Sequence, residues 1–323
     1  MKIISALLLS SGLLATFPLL AQKDNVVKFG LCTDVHIPTM HDSEYRMNTF
    51  IEAMKKEKPD FIIELGDFTI PKPEFQKTYD IWNSFPGEKH HVIGNHEMDG
   101  GTSHEKALEY RSMKSAYYSF DKNGFHFVVL DGNDKTDPTK KGYQQLIGKE
   151  QLEWLKQDLE KAQYPVVLFS HQGLSIYKTH QETYGVENYQ EVQDLLQEHN
   201  RLHPDRKVIA SFNGHTHVEY VENIGGIWYI STTSMAYHWL GEDYEQIRYS
   251  EEVDKKFRWI KYTAPFKEPL FTTVEISTNG TIKIAGKKTE WVGPSPFEMG
   301  FPENLKKYMH PGITKRNLKF NLE

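Results

Sequence analysis

Phe61-Ile62-Ile63-Glu64-Leu65-Gly66-Asp67 is the stretch from which the rest of the chain can be read. A short apolar run ends on a glycine and then on a lone acid. It follows a segment in which Met47, Phe50, Ile51 and Met54 recur at i, i+3, i+4 and i+7, with Ser43 as a possible cap and Pro59 as the stop. An apolar run of strand length after a helical period is the mark of strand–helix–strand layering. Outward from it the pattern repeats. Upstream, a strand over 26–33 ends at Asp34-Val35-His36. Downstream, an amphipathic segment over 75–85 leads to a strand over 90–93 that ends at Gly94-Asn95-His96-Glu97. A helix over 148–163, with Leu152, Leu155 and Leu159 on one face, precedes a strand over 165–169 ending at Ser170-His171. A further helix near 189–199 precedes a strand over 207–212, ending at Asn213-Gly214-His215-Thr216-His217.

Between these units lie hairpin signals. Asn123-Gly124 separates 117–120 from 125–130, Asn223 to Gly226 turns a pair starting at Val218, and Asn279-Gly280 joins 270–278 to 282–285. Residues 173–190 carry no clean period. Residues 232–268 form a long aromatic-rich excursion, read either as functional loops or as a poorly ordered insertion. The fold class expected is α/β, with one domain over 23–288 and an irregular extension over 289–323, where Pro294, Pro296, Pro302 and Pro311 stand.

The chain has 323 residues, enough for a sizeable core without a second domain. Its 38 basic and 44 acidic residues give a net charge of −6, and no Lys/Arg run marks a nucleic-acid track. No nucleic-acid polymer is therefore expected as partner, and a phosphate-bearing substrate must be drawn by a local site. Met1-Lys2, an apolar run over 3–20 broken by Ser10-Ser11-Gly12 and Pro18, and then Ala21-Gln22 read as a signal peptide over 1–22. Its interruptions favour removal over retention as an anchor, which implies export to a periplasm or the exterior and no stable membrane span afterwards. Cys32, the sole cysteine, leaves no intramolecular disulfide and reads as a small buried strand residue.

Potential metal ligands follow five expected strands: Asp34 with His36, Asp67, Asn95, His171, and His215 with His217. In an open α/β sheet the ligand crevice lies beyond the carboxyl ends of the strands, so groups from position 34 to position 217 can converge. Glycines 66, 94 and 214 permit close turns before them. Three carboxylate or amide oxygens and four imidazoles are too nitrogen-rich for calcium or a purely magnesium site, and fit Mn, Fe or Zn. Seven groups exceed the needs of one tetrahedral ion, so two divalent ions bridged by Asp67 are expected.

In that order, Asp34-x-His36, Gly66-Asp67, Gly94-Asn95-His96-Glu97, His171 and Gly214-His215-x-His217 resemble the calcineurin-like metallophosphoesterase family over roughly residues 27–231. The resemblance implies a sandwich of two mixed β-sheets flanked by helices. It also implies one metal on Asp34, His36, Asp67 and His217 and the other on Asp67, Asn95, His171 and His215, with His96 free of metal. The purple acid phosphatase branch matches poorly, having Gly at the place of His36 and a Tyr at that of Ile70. Tyr117-Tyr118-Ser119-Phe120, 127–131, 148–155 and Asn188-Tyr189 are similar to the ADP-ribose and CDP-alcohol diphosphatase branch and to cyclic-nucleotide phosphodiesterase-like proteins. The former typically has Gln where His36 stands.

The expected activity is hydrolysis of phosphoester bonds in a small phosphorylated substrate, phosphodiester or pyrophosphate before monoester. Hydroxide bridging the two ions is the expected nucleophile and His96 the acid for the leaving group, since water between two cations loses its proton near neutral pH. Asn95 and His96 are expected to meet the phosphoryl group, and Tyr177, His180, Tyr184, His238 and Trp239 the base or sugar. The alternative is a non-catalytic phosphate- or partner-binding protein on the same metal site. A mononuclear zinc peptidase would need His-Glu-x-x-His, but position 100 is Gly100.

Overall fold

The computed structural model describes residues 24–322 except 136, 138, 140, 141, 144 and 179–182. The expected signal peptide over 1–22 lies outside the described residues. The first half of the chain runs β1 (Val26–Cys32), α1 (Ser43–Glu57), β2 (Phe61–Glu64), α2 (Gln76–Asn83), β3 (Glu88–His91), α3 (His104–Tyr110), β4 (Tyr118–Lys122), β5 (Phe125–Val129) and α4 (Lys149–Lys161). Then come β6 (Val166–Ser170), β7 (Tyr177–Lys178), β8 (Thr183–Tyr184), α5 (Tyr189–Leu202), β9 (Val208–Asn213), β10 (Tyr220–Ile224) and β11 (Ile227–Ser231). Last are β12 (Tyr237–Trp239), α6 (Glu251–Lys256), β13 (Thr263–Pro265), β14 (Thr272–Ser277), β15 (Thr281–Ile284), β16 (Lys287–Lys288), β17 (Gly312–Ile313) and β18 (Arg316–Lys319).

Two six-stranded sheets result, ordered β18-β15-β14-β1-β2-β3 and β10-β11-β9-β6-β5-β4. Each is mixed. Strands β1, β2 and β3 run parallel, as do β5, β6, β9 and β11, while β14, β4 and β10 pair antiparallel. Period-two alternation explains how the sheets pack face to face. Val27, Phe29 and Leu31 point inward with Phe61 and Ile63, and meet Phe125, Phe127, Phe169 and Phe212 from the other sheet. Phe29 stacks on Phe61 at 5.1 Å and sets its ring edge-on to Phe127, Phe169 and Phe212 at 5.5–6.1 Å. Each such buried ring contributes roughly 1.5–3 kcal/mol by area alone.

Helices cover the outer faces. Met47, Phe50, Ile51 and Met54 of α1, with Trp82 of α2, pack on Cys32 and Ile62. Leu152, Leu155 and Leu159 of α4, with Val192 and Leu196 of α5, pack on Val128, Leu168 and Val208. The architecture is the helix-flanked sandwich of two mixed sheets that the resemblance implied.

One expectation differs from the structure, and one that left two readings open is narrowed. The extension over 289–323 is not irregular throughout, because β18 pairs antiparallel with β15 and forms the edge of the first sheet. Leu318, Phe320 and Leu322 alternate onto the sandwich core, and the prolines that exclude a helix upstream leave an edge strand possible. The excursion over 232–268 is an ordered hairpin: β12 pairs with β13, and α6 and two 3₁₀ turns lie between them.

Candidate metal centre

The parallel strands bring their carboxyl ends to one edge of the sandwich, and the groups named from sequence meet there. Asp34, His36 and His217 form one cluster, and Asp67, His171 and His215 a second; within each, one donor atom per residue lies within 4.8 Å of the others. His36 Nε2 stands 3.0 Å from His217 Nε2, which is 3.1 Å from Asp34 Oδ1. His171 Nε2 is 3.0 Å from Asp67 Oδ2 and 3.2 Å from His215 Nδ1. Asp67 Oδ2 also lies 3.9 Å from His36 Nε2, so this carboxylate faces both clusters.

Backbone strain concentrates at these residues. Of the eight described non-glycine residues with positive φ, five are Asp34, His36, Asp67, His215 and His217. Asp and His tolerate the left-handed region better than most residues, yet each costs on the order of 1–3 kcal/mol, so the surroundings must hold them. Thr233 and Ser234 donate their hydroxyls to the carbonyls of His217 and Asp34. Gly94 and Gly214 allow the loops to close: a Cβ on Gly94 would lie 2.2 Å from Asp67 Oδ1, and one on Gly214 2.5 Å from Asp34 Oδ2.

Do these residues fit metal ions? Asn95 Oδ1 is buried among them with no hydrogen-bond partner, which is costly unless a cation fills that place. His171 donates Nδ1–H to the carbonyl of Leu65 at 2.7 Å, which turns Nε2 inward as a ligand atom. Burial opposes charge on His171, but the Asp67 carboxylate beside it holds the imidazole up at about 10. Conversely, against the cost of burial, His171 holds the Asp67 carboxyl below the usual carboxylate range. Burial and the neighbouring His171 push His215 down to about 3, keeping it neutral and able to ligate. A convergent set of carboxylates, imidazoles and an unpaired amide oxygen is the donor chemistry of a divalent-metal centre, in which a bound ion would replace the Nε2 proton of His171.

The loops carrying Asp67 and Asn95 share a buried support that sequence reading did not single out. Glu97 accepts backbone N–H groups from Asp67, Phe68 and Gly94 at 2.7–3.1 Å, and Arg111 Nη2 at 2.7 Å. Arg111 Nη1 donates at 2.7 Å to Glu64, which in turn accepts from the backbone of Gly66. The Arg111 guanidinium also lies 4.5 Å over the Phe68 ring. Burial lifts the Glu97 carboxyl to about 7, with the Asp67 and Glu64 carboxylates adding to the rise and Arg111 opposing it.

His96 stands at the second cluster with its backbone N–H bonded to Asp67 Oδ1 and its Nε2 4.0 Å from Asp67 Oδ2. Its Nδ1 lies 2.7 Å from Asp99 Oδ2, and the Tyr143 hydroxyl donates to the other Asp99 oxygen. Burial works against the charged ring, but Asp67 and the Asp99 hydrogen bond hold it up at about 9. Dications bound against Asp67 would cancel part of that rise.

The sequence profile of calcineurin-like phosphoesterases matches residues 27–219. The chain belongs to that family. Family membership makes the protein a metal-dependent phosphoesterase and implies a dinuclear divalent centre, for which the two clusters supply ligands. The fold is shared with a dimetal phosphatase from Danio rerio, at 16% identity over 84% of this chain and 100% of that one, TM-score 0.55. It is shared too with GAP50, the anchor in the inner membrane complex of Plasmodium, at 14% identity over 93% of this chain and 90% of that one, TM-score 0.54. No curated protein matches the sequence significantly. At these identities the likeness is one of fold.

A cleft of about 850 Å³ opens from the phosphoesterase's metal loops, lined by His36, Asp67, His96, His215 and His217 at its floor. Trp239, expected at the substrate, lines its rim. His238 does not: it is 1% exposed and packs between Phe266 and Trp291, because alternation along β12 sends Tyr237 and Trp239 to the cleft and His238 to the other side. Tyr177 and Tyr184 are partners in the backbone register of β7 and β8, and His180 lies outside the described residues. Asp99 was within reach of the sequence, only three residues after His96, where the 3₁₀ turn that begins at His96 ends. Tyr143 and Arg111 had no local signal.

Proposed function

We propose that this phosphoesterase hydrolyses phosphodiester or pyrophosphate bonds of small phosphorylated molecules, using two divalent ions of the Mn, Fe or Zn type. The observation that carries the reading is the pair of ligand clusters facing a common carboxylate, Asp67, with His96 beside them in the same cleft. Asp34, His36, Asp67 and His217 would hold one ion and Asp67, Asn95, His171 and His215 the other. Bound there, the ions supply an acidified water and neutralise charge on the phosphoryl oxygens. Everything else falls to side chains. Asp99 takes Nδ1–H of His96 and Tyr143 steadies Asp99, so the ring is fixed with Nε2–H toward the cleft. From there His96 gives its proton to the departing oxygen, which leaves as an alcohol or a protonated phosphate. The amide of Asn95 would offer its NH₂ group to a phosphoryl oxygen as charge gathers there. A cleft of this volume has room for a group on each side of the scissile phosphorus, which favours diesters and pyrophosphates over monoesters. We infer, as part of the same reading, that the apolar stretch over 1–22 acts as a leader for export.

Purified protein of defined metal content, assayed on a nitrophenyl monoester, bis-nitrophenyl phosphate, cyclic nucleotides and ADP-ribose, tests the proposal. Turnover of a diester or pyrophosphate above the monoester is expected. No turnover of any of them with both ion sites filled would instead make the protein a binder on the same centre.

A further inference from the structure

The hairpin over 232–268 is anchored on one side and unsatisfied on the other. Phe257, Ile260 and Tyr249 bury themselves with Met40, Ala236 and Tyr237, which fixes the segment against the body of the protein. At the C-terminal end of α6 the chain leaves helical geometry at Phe257, so the residues flanking this inward ring, Lys256, Arg258 and Trp259, turn outward. All three line the same cleft as the metal ligands, together with Trp239 of β12 and Lys72 of the loop after β2. Trp239 and Trp259 keep 47% and 42% of their surfaces exposed, with Tyr262 set at 6.2 and 6.0 Å from their rings. Their rings lie 6.5 Å apart at 55°, not stacked on one another. The Arg258 guanidinium sits 4.7 Å over Trp259. Among the described residues neither it nor Lys72 nor Lys256 has a carboxylate within ion-pairing distance, in a chain whose net charge is −6.

Unpaired cations beside exposed aromatic faces, on the rim of a phosphoester-cleaving cleft, have a clear chemical complement. A guanidinium preorganised on an indole takes phosphate oxygens in pairs, and an indole face takes a flat ring. We propose that Lys72, Lys256, Arg258, Trp239 and Trp259 form a second subsite, which holds the part of the substrate away from the scissile bond. That part is an anionic group joined to a planar ring, as in the esters of a nucleoside diphosphate. The inference rests on phosphoester hydrolysis at the floor and adds which substrates reach it.

The test uses the metal-loaded full chain and two readouts. First, the methylene-bridged analogue of ADP, whose P–C–P link resists hydrolysis, is titrated against tryptophan fluorescence. It should bind at least about tenfold more tightly than adenosine or inorganic phosphate alone, and Arg258→Ala and Trp259→Ala should each weaken it about tenfold. Second, kcat/KM is compared for a nucleoside diphosphate ester and for bis-nitrophenyl phosphate, and the ratio should fall about tenfold in Arg258→Ala. A parallel fall on both substrates, or analogue binding unchanged in both variants, would overturn the subsite. So would a Trp259-dependent fluorescence change on anionic vesicles with none on the analogue, since the rim would then be a membrane contact. Absence of all hydrolysis alongside Arg258-dependent binding would sink the hydrolase reading and leave the subsite standing.

Discussion

On the floor of the cleft every candidate ligand follows a strand end and is buried or nearly so, and five of the seven sit in strained left-handed turns. On the rim, Arg258, Lys256 and Trp259 stand exposed on a hairpin whose inward side packs through Tyr249, Phe257 and Ile260. Rigidity is concentrated where metal geometry must be exact to fractions of an ångström, and latitude where the substrate's remote half must enter. Mutations of the floor should therefore abolish the chemistry, and mutations of the rim should change what is chosen.

The sharpest break in that contrast would come at Asp67. Asp67→Asn removes the carboxylate facing both clusters, and activity should fall by on the order of 10³-fold or more, with metal lost as read by elemental analysis. His217→Ala should do the same. One step less severe, His96→Ala should retain metal and lower turnover ~10²- to 10⁴-fold on esters with poor leaving groups, less on a nitrophenolate, which needs no proton. Full turnover of the poor leaving group would remove His96 from the acid role. Behind the floor, Arg111→Met leaves Glu64 and Glu97 buried without their cation, and denaturant unfolding should show a loss of about 3–5 kcal/mol.

Far from both regions, His126 joins Asp121 and Asp158 at 2.6 and 2.9 Å and ties β5 to α4. Burial opposes its charge, but these carboxylates raise its pKa above the ordinary value. The stabilisation is complete below the unfolded value near 6.5 and is lost as pH rises through the higher folded value. His126→Gln should thus cost about 1 kcal/mol at pH 6 and less at pH 9, with metal content and substrate preference unchanged.

The floor was legible because its ligands are local: an acid, amide or imidazole placed directly after an apolar run announces itself without knowledge of the fold. Glu64, Glu97 and Arg111 were not, since their pairing crosses from β2 to the end of α3 and nothing near Arg111 sets it apart from a surface arginine. His238 has no period around it in the sequence that would place it. Within an excursion read as loop, alternation had no meaning, whereas on β12 it decides that Trp239 reaches the cleft and His238 the core. The same blindness hid β18, although Leu318, Phe320 and Leu322 alternate, because the prolines upstream dominated the reading. The rim was illegible for a further reason. Its residues reach the cleft only because Phe257 turns inward, a tertiary choice with no echo in composition.

Metal stoichiometry measured together with turnover tests the central claim most directly. The protein stripped with chelator should be inactive on bis-nitrophenyl phosphate. Titration with Mn²⁺ or Zn²⁺ should restore activity as two ions bind per chain, and His36→Ala should hold fewer ions and stay inactive. A wild-type chain that binds one ion or none, or that hydrolyses the diester at its full rate after stripping, would contradict the account.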